Sequence, residues 1–304
     1  MNVAVTGATG FIGQHVLRSL LRNGAKPTIL VRPGSAIPDE FRHIPAACFD
    51  IFEPPEDSFD QLGKPAALIH LAWSGLPNYR SLHHFETELP AQFRFLNSLI
   101  KSGLSHLVVS GTCFEYGMQS GCLVESMETK PANPYGFAKD ALRQQLQYLA
   151  GALDFDLTWA RFFYLYGQGQ SPASLYVQIS AAAARGEQMF DMSGGEQIRD
   201  YLPVDEAAGY LVNMALGTAR PGTVNICSGR PVSVRRQAEE WLAQNHWRMQ
   251  LNLGVYPYPD YEPLAFWGDR GKLDGALQEN KVAGASKSRT CATPDAGNGK
   301  LKNG

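Results

Sequence analysis

The chain has 304 residues, 44% hydrophobic and 18% charged, enough for a large core built as one big α/β domain or two closely joined ones. A net charge of -2 gives no electrostatic case for nucleic acid or an acidic membrane, and no apolar run approaches the length of a membrane span. Five scattered cysteines (Cys48, Cys113, Cys122, Cys227, Cys291), odd in number and without a C-x-x-C, argue against a disulfide frame or a metal site and for reduced thiols in a cytoplasmic protein; no basic leader precedes an apolar region at the N-terminus.

Val3–Thr6 reads as a strand and Ile12–Leu21 as a helix, with Ile12, Val16, Leu17, Leu20 and Leu21 on one face and Asn23-Gly24 as the stop. Between them lies Gly7-Ala8-Thr9-Gly10-Phe11-Ile12-Gly13. Strand, glycine turn, helix is the layout that binds a dinucleotide pyrophosphate: the glycines let the backbone approach, and the helix N-terminus offers free N–H groups and a positive dipole end. Thr28–Val31 is a second strand, and Asp50 follows the strand end at Cys48-Phe49. Ala66–Ala72 is a third apolar run. His83-His84, pointing apart as sequence neighbours do on a helix, read as a surface pair. Leu89, Phe93, Leu96 and Ile100 make a helix face, His106–Ser110 a strand, and Pro134–Leu149 a helix with proline tolerated in its first turn. Thr158–Tyr164 is a further β-rich run. Buried strands alternating with helices predict an α/β, doubly wound parallel sheet (a Rossmann fold) with a smaller C-terminal lobe.

The second half is less regular. Leu175–Arg185, Asp205–Leu216 and Val234–Gln244 read as helices, Val224–Cys227 as a short strand, and the aromatic, proline-rich Tyr256–Tyr261 as a loop. This organisation divides the chain into a dinucleotide-binding region over 1–165, a substrate-binding lobe over 166–282 interleaved with it, and a tail over 283–304. The tail is Lys, Ser, Thr, Gly and Asn with almost nothing apolar and is expected to be disordered.

Tyr135 and Lys139 stand four apart on one predicted helix and share a face. A free tyrosine is a poor acid or base at neutral pH; a neighbouring lysine charge favours phenolate and is expected to lower its pKa towards useful proton transfer. The strand before Arg32-Pro33-Gly34-Ser35 ends without the acid that selects NAD through the ribose 2′-hydroxyl. Arg32 would attract a 2′-phosphate, which favours NADP; if it only stacks on adenine, NAD serves equally.

With the glycine turn and the Tyr/Lys pair in place, the chain resembles the extended short-chain dehydrogenase/reductase family, that of the sugar-nucleotide epimerases, dehydratases and reductases, over roughly residues 1–275. The family's Thr-Gly-x-x-Gly-x-x-Gly matches Thr6 to Gly13, its strand-end His-x-Ala matches His70-Leu71-Ala72, and its Ser/Thr before Tyr-Gly matches Thr112 in Ser110–Gly117. The later Arg-Asp-Tyr signature matches Arg199-Asp200-Tyr201, and Asn-Ile-x-x-Gly matches Asn225–Gly229. The resemblance implies cofactor contacts from Gly7, Thr9, Gly10, Phe11, Ile12, Gly13, Arg32, Asp50, Ile51, Leu71, Ala72, Trp73, Tyr135 and Lys139. It implies Tyr135 as general acid or base, Lys139 on the nicotinamide ribose, and Thr112 donating to the same substrate oxygen as Tyr135. Substrate contacts are implied at Thr112, Cys113, Tyr135, Tyr164 and Arg199, the last gripping a nucleotide diphosphate. Asp50 as a solvated loop residue and Arg199 as a salt-bridge partner are the alternatives.

Two departures narrow the reaction. Dehydratases of the family carry Asp-Glu after the catalytic Thr, where this chain has Cys113-Phe114, and many epimerases carry Asn where it has Tyr164. The stretches Ser110–Gly117 and Tyr261–Trp267 look most like nucleotide-4-keto-6-deoxyhexose reductases of the CDP-abequose synthase type. The expectation is an NADPH-dependent 4-ketoreductase acting on a nucleotide sugar for deoxysugar and surface-polysaccharide (O-antigen) synthesis, a homodimer through the 89–100 and 134–149 helices. A redox-neutral C4 epimerase with tightly bound NAD, and a non-catalytic cofactor-sensing protein, are the other readings.

Overall fold

A parallel sheet is covered on both faces, so its strands are written as continuous apolar runs, and the runs of the first half become strands for that reason. In the computed structural model, which describes residues 1–258 and 260–290, the chain runs β1 (Asn2–Thr6), α1 (Phe11–Arg22), β2 (Lys26–Val31), β3 (Ala46–Cys48), α2 (Ser58–Gln61), β4 (Ala67–His70), α3 (Leu89–Lys101), β5 (His106–Thr112), β6 (Gly121–Leu123), α4 (Pro134–Ala150), β7 (Asp156–Phe162) and β8 (Tyr164–Tyr166). It continues through α5 (Leu175–Ala184), β9 (Met189–Asp191), β10 (Ile198–Pro203), α6 (Val204–Leu216), β11 (Thr223–Ile226), β12 (Pro231–Ser233), α7 (Val234–Gln244), β13 (Gln250–Asn252), β14 (Phe266–Gly268) and α8 (Gly271–Thr290).

Seven strands form one parallel sheet in the order β11-β7-β5-β4-β1-β2-β3. The direction of winding reverses between β1 and β4, the switch point where open α/β sheets bind ligands at their carboxyl ends. One face is sealed by Val16, Leu17 and Leu20 of α1 together with Ala208, Leu211 and Val212 of α6. The other is sealed by Phe95, Leu96 and Leu99 of α3 with Leu142 and Leu146 of α4.

Several elements differ from the sequence reading. The Thr158–Tyr164 run splits: β7 stays in the main sheet, while β8 pairs with β10 in a separate three-stranded sheet. Phe163, between them, is buried with Tyr116, Cys227 and Phe266, and this anchoring turns the chain out of the first sheet. β11 and α6, from the region assigned to the second lobe, pack into the first, so the two regions interleave through them. The three-residue strands β6, β9, β12, β13 and β14 have too few residues to show a period; only pairing defines them. α8 runs to Thr290 and so takes residues 283–290 out of the expected disordered tail. Its first turns are anchored by buried Leu273 and Ala276, and alanines and lysines beyond them sustain helix once it is nucleated. The rest of that tail, 291–304, lies outside the described residues. No helix among them is long and apolar enough to cross a membrane.

Two glycines test the packing in opposite directions. A Cβ on Gly13 would sit 2.2 Å from the Gly7 carbonyl oxygen, where helix and strand approach, whereas a Cβ on Gly209, inside α6, meets nothing within 4 Å. Gly13→Ala is therefore expected to destabilise by roughly 1–3 kcal/mol, and Gly209→Ala to stabilise by up to ~1 kcal/mol. Urea unfolding of the two variants checks both signs.

Candidate active site

At the switch point the glycine turn leaves β1 and enters α1. Gly7 has φ +66°, and a Cβ there would lie 2.8 Å from the Ala72 nitrogen, so only glycine lets the turn pass this close to the end of β4. α1 has Gly10 as its N-cap, with no side-chain cap and no acid in its first turn, so no side chain competes for its first N–H groups. The adjoining cleft, about 240 Å³, is lined by Gly7, Thr9, Gly10, Arg32, Ser35, Ile51, Leu71, Ala72 and Trp73 among others. Uncapped backbone donors, a basic side chain without an ion-pair partner among the described residues (Arg32) and apolar walls suit the pyrophosphate, ribose and adenine of a nicotinamide dinucleotide. Several expected contacts stand elsewhere, Tyr135 and Lys139 in the reaction pocket described next. Phe11 and Ile12 face the neighbouring pocket, Gly13 lies behind the turn against Gly7 and Ala8, and Asp50 is absent from the wall, its carboxylate accepting from the Phe52 N–H at 3.0 Å.

A second pocket of about 290 Å³ shares Leu71 and Trp73 with the first and brings Thr112, Cys113, Tyr135, Lys139 and Tyr164 together. Tyr135 enters on the first turn of α4, which is started by Asn133, whose side chain accepts from the Gly136 N–H at 2.8 Å, with Pro134 next. The Tyr135 N–H, which has no partner within the helix, donates to the Tyr79 carbonyl at 3.2 Å. Thr112 ends β5 and caps the short turn after it: its hydroxyl accepts from Phe114 N–H and its own N–H donates to the Glu115 carboxylate at 2.9 Å.

The electrostatics differ from the expectation for the Tyr/Lys pair. Burial raises the Tyr135 phenol well above its ordinary value, reinforced by the neighbouring Tyr79, with a hydrogen bond from Thr112 pulling the other way. Lys139 is itself stripped of water, and its pKa falls to about 7. Its ammonium donates to the Ser110 carbonyl at 2.8 Å and lies 4.0 Å from the centre of the Trp73 ring. Desolvation thus outweighs the lysine charge, and Tyr135 rests as a neutral phenol. Burial likewise pushes the Cys113 thiol up.

On the substrate side, Tyr164 donates to the Glu262 carboxylate. Arg199 does not line the pocket. It is 2% exposed, donates to Glu262 at 2.6 Å and to the Ile198 and Leu264 carbonyls at 2.8 and 3.0 Å, and stacks over Phe266. In this structure the guanidinium expected to grip a diphosphate is occupied by a buried intramolecular pair, which Glu262, distant in sequence, supplies.

The expected surface pair is also placed differently. His84 is fully buried, its Nδ1 accepting from the Trp73 indole at 3.1 Å, and His83 meets Ser74 at 3.0 Å. Both sit at the entry to a π-helical turn, His84–Glu88, that turns the chain inward. Behind the cleft a chain of bonds runs from Thr6 to His70 (2.9 Å), His70 to Gln92 (2.7 Å) and Gln92 to Glu88 (2.7 Å), whose other oxygen takes the Ser74 N–H at 3.1 Å. Glu88, Gln92 and Tyr79 line the two pockets, and no sequence motif marked them. Their signal is the aromatic and polar density of residues 73–92 between two recognisable elements. Among the described residues no group of three or more His, Cys, Asp or Glu is placed to hold a metal.

A family model described as the NAD dependent epimerase/dehydratase family matches residues 3–227. The chain belongs to this family. It is 30% identical over 271 residues, 88% of this chain and 99% of the relative, to a dTDP-6-deoxy-L-talose 4-dehydrogenase (NAD(+)) of Aggregatibacter actinomycetemcomitans. It is 28% identical to a UDP-glucose 4-epimerase of Azospirillum brasilense, over 77% of this chain and 74% of that one. Its fold matches MoeE5 in complex with UDP-glucuronic acid and NAD, with a TM-score of 0.77 at 25% identity, covering 96% of this chain and 100% of the other. The doubly wound parallel sheet and the sugar-nucleotide class of the family agree with the sequence reading.

His70 supplies a test of the buried chain. Burial, with the Lys139 charge second, lowers its pKa from 6.5 to about 3, so it is neutral when folded. The unfolded chain binds one more proton between those values. The contribution is therefore present above pH 6.5 and is lost as pH falls towards 3, by about 1.4 kcal/mol per pH unit. The stability difference between wild type and His70→Asn should shrink with that slope over this window in urea titrations.

Proposed function

We propose that the protein reduces the 4-keto group of a nucleotide-activated 4-keto-6-deoxyhexose, with NADPH as the preferred donor. The observation that carries this reading is the composition of the reaction pocket: the hydroxyls of Thr112 and Tyr135 and the ammonium of Lys139 line it beside the dinucleotide cleft, with no Asp or Glu among the lining residues. Elimination of water from a sugar needs a carboxylate acid–base pair there; reduction of a ketone needs one proton donor and a hydride. The nearby Glu115 carboxylate is buried beneath Thr112 and paired with Arg161 at 2.6 Å, away from the pocket. The 30% relative is named for an oxidoreductase reaction at the same sugar carbon.

The bound nicotinamide would supply the hydride that C4 accepts. Tyr135, kept protonated by burial, gives its proton to the C4 oxygen as charge develops there, and Thr112 donates a second hydrogen bond to that oxygen. Lys139 would bind the ribose next to the reacting ring, and its ammonium offsets the negative charge left on Tyr135 when the phenol gives up its proton. Tyr79, Phe114 and Leu76 give this pocket apolar walls. For the adenosine end, Arg32 and Ser35 in the cleft wall suit a 2′-phosphate. The relative's NAD(+) label makes NAD the competing cofactor, and the assay separates the two.

Incubating the protein with CDP-, dTDP- and GDP-linked 4-keto-6-deoxyhexoses and following NADPH or NADH absorbance tests the reading. Consumption of reduced cofactor with one of them supports it; a bound nicotinamide that is never consumed while C4 inverts would establish an epimerase instead. Tyr135→Phe is expected to lower kcat by roughly 10²–10⁴. Arg32→Asp should weaken NADPH selectively, and equal loss for NADH would sink the 2′-phosphate assignment. Because Lys139 is charged only below about 7 in the free protein, kcat/KM for reduction should fall as pH rises through that value, and Lys139→Arg should remove this limb.

A further inference from the structure

Residues 73–84 carry no recognisable motif, yet their first and last side chains stand at the join between the two pockets. Trp73 belongs to the wall of both the dinucleotide cleft and the reaction pocket. Its indole is held on three sides. The N–H donates to His84 Nδ1 at 3.1 Å, with the two ring planes 27° apart; Lys139 Nζ lies 4.0 Å from the ring centre; and the Tyr135 ring meets it edge-on with centroids 6.0 Å apart. The backbone on either side is tied down as well, Ala72 by Gln92 (3.2 Å) and Ser74 by Glu88 (3.1 Å).

His84 is bound at both ring nitrogens. An indole N–H can only donate and a backbone carbonyl can only accept, so with Trp73 on Nδ1 and the Asn78 carbonyl 2.9 Å from Nε2 the imidazole is the neutral tautomer protonated at Nε2. Neither nitrogen is left to act on a substrate, although the ring packs T-shaped against Tyr135 at 5.2 Å. The geometry makes His84 a fixed acceptor for one neighbour.

We propose that Trp73 is the wall that positions the reactive end of the dinucleotide between Lys139 and Tyr135, and that His84 is the positioning residue that sets the plane of Trp73. This rests on the reading of the clefts given above. Without the His84 acceptor the half-buried indole N–H loses its only protein partner among the described residues, and the ring turns about its two side-chain torsions into one pocket or the other, at the expense of whatever binds there. The effect falls on cofactor binding first and on the chemical step second, because His84 touches neither reacting atom.

The test compares His84→Phe, His84→Asn and Trp73→Phe with wild type, after circular dichroism confirms each fold. His84→Phe keeps a ring and removes the acceptor; the KM for reduced cofactor should rise about tenfold, the loss of one partly buried hydrogen bond, with kcat changed less. The emission of Trp73, isolated as the difference from Trp73→Phe, should change with it. His84→Asn, whose Oδ1 replaces Nδ1, should recover most of the affinity, a result that a merely space-filling role does not predict. Trp73→Phe should show the same rise in KM, and the double Phe variant no more than either single one, since both break the same bond. An unchanged KM in His84→Phe, or defects that multiply in the double variant, overturns the proposal. If His84→Phe does not fold, the Asn rescue is replaced by the direct comparison of His84→Asn with Trp73→Phe, where wild-type KM in Trp73→Phe is the overturning result. Fluorescence titration of wild type separates the two levels: binding with unaffected variants removes this proposal alone, whereas no binding of either dinucleotide removes the functional reading and this proposal together.

Discussion

Everything near the site depends on how two carboxylates buried at the carboxyl edge of the sheet are paired. Glu115, fully buried, takes the Thr112 N–H and the Trp159 indole at 2.9 Å each and the Arg161 guanidinium at 2.6 Å, and so locks the end of β5 to β7. Glu88, equally buried, takes the Ser74 N–H and the Gln92 amide and so locks the end of β4 to the start of α3. A carboxylate in such surroundings is tolerable only with every oxygen bonded, and losing one partner of a buried ion pair costs about 3–5 kcal/mol. The penalty makes the two strand ends rigid, and Thr112 and Trp73 stand on those ends.

The same dryness sets the protonation states. Removal of water disfavours whichever form is charged, so it raises Tyr135, lowers Lys139 to about 7 and lowers His70 to about 3. A proton donor that stays protonated and a lysine poised near neutrality follow from burial alone. The spacing of Tyr135 and Lys139 places them on one helix face; the direction of their shifts comes from the apolar walls supplied by Trp73, Tyr79 and Phe114.

Beyond the reacting groups, the second lobe satisfies its own charges. Arg199 and Glu262 pair beneath Tyr164 and Phe266, and Asp200 takes the N–H groups of Ser228 (2.7 Å) and Gly229 (2.9 Å), so β10 is fixed to the loop after β11. The Arg-Asp-Tyr stretch therefore acts in this structure as a seam between the lobe and the main sheet. That seam brings β8 and Tyr164 over the reaction pocket.

Local chemistry determined much of this from sequence alone. The apolar runs before Gly7 and around Ile69 had to be buried strands, the glycine turn had to pass close to something, and Tyr135 and Lys139 had to share a face, because strand alternation, glycine's freedom and helical period act over a few residues. Tertiary structure alone decided what has no local period. His84 became a buried acceptor because a π-helical turn carries it under Trp73. Glu88 and Gln92 reached the cleft wall because α3 packs beside β4. Arg199 met Glu262, not open solvent, across 63 residues of chain. The short strands β6, β9 and β12 to β14 exist only through their partners, and α8 extended past residue 283 because its first turns are anchored on β11 and α6. In each case the deciding energy is the pairing or burial of groups far apart in sequence, which no window of neighbouring residues contains.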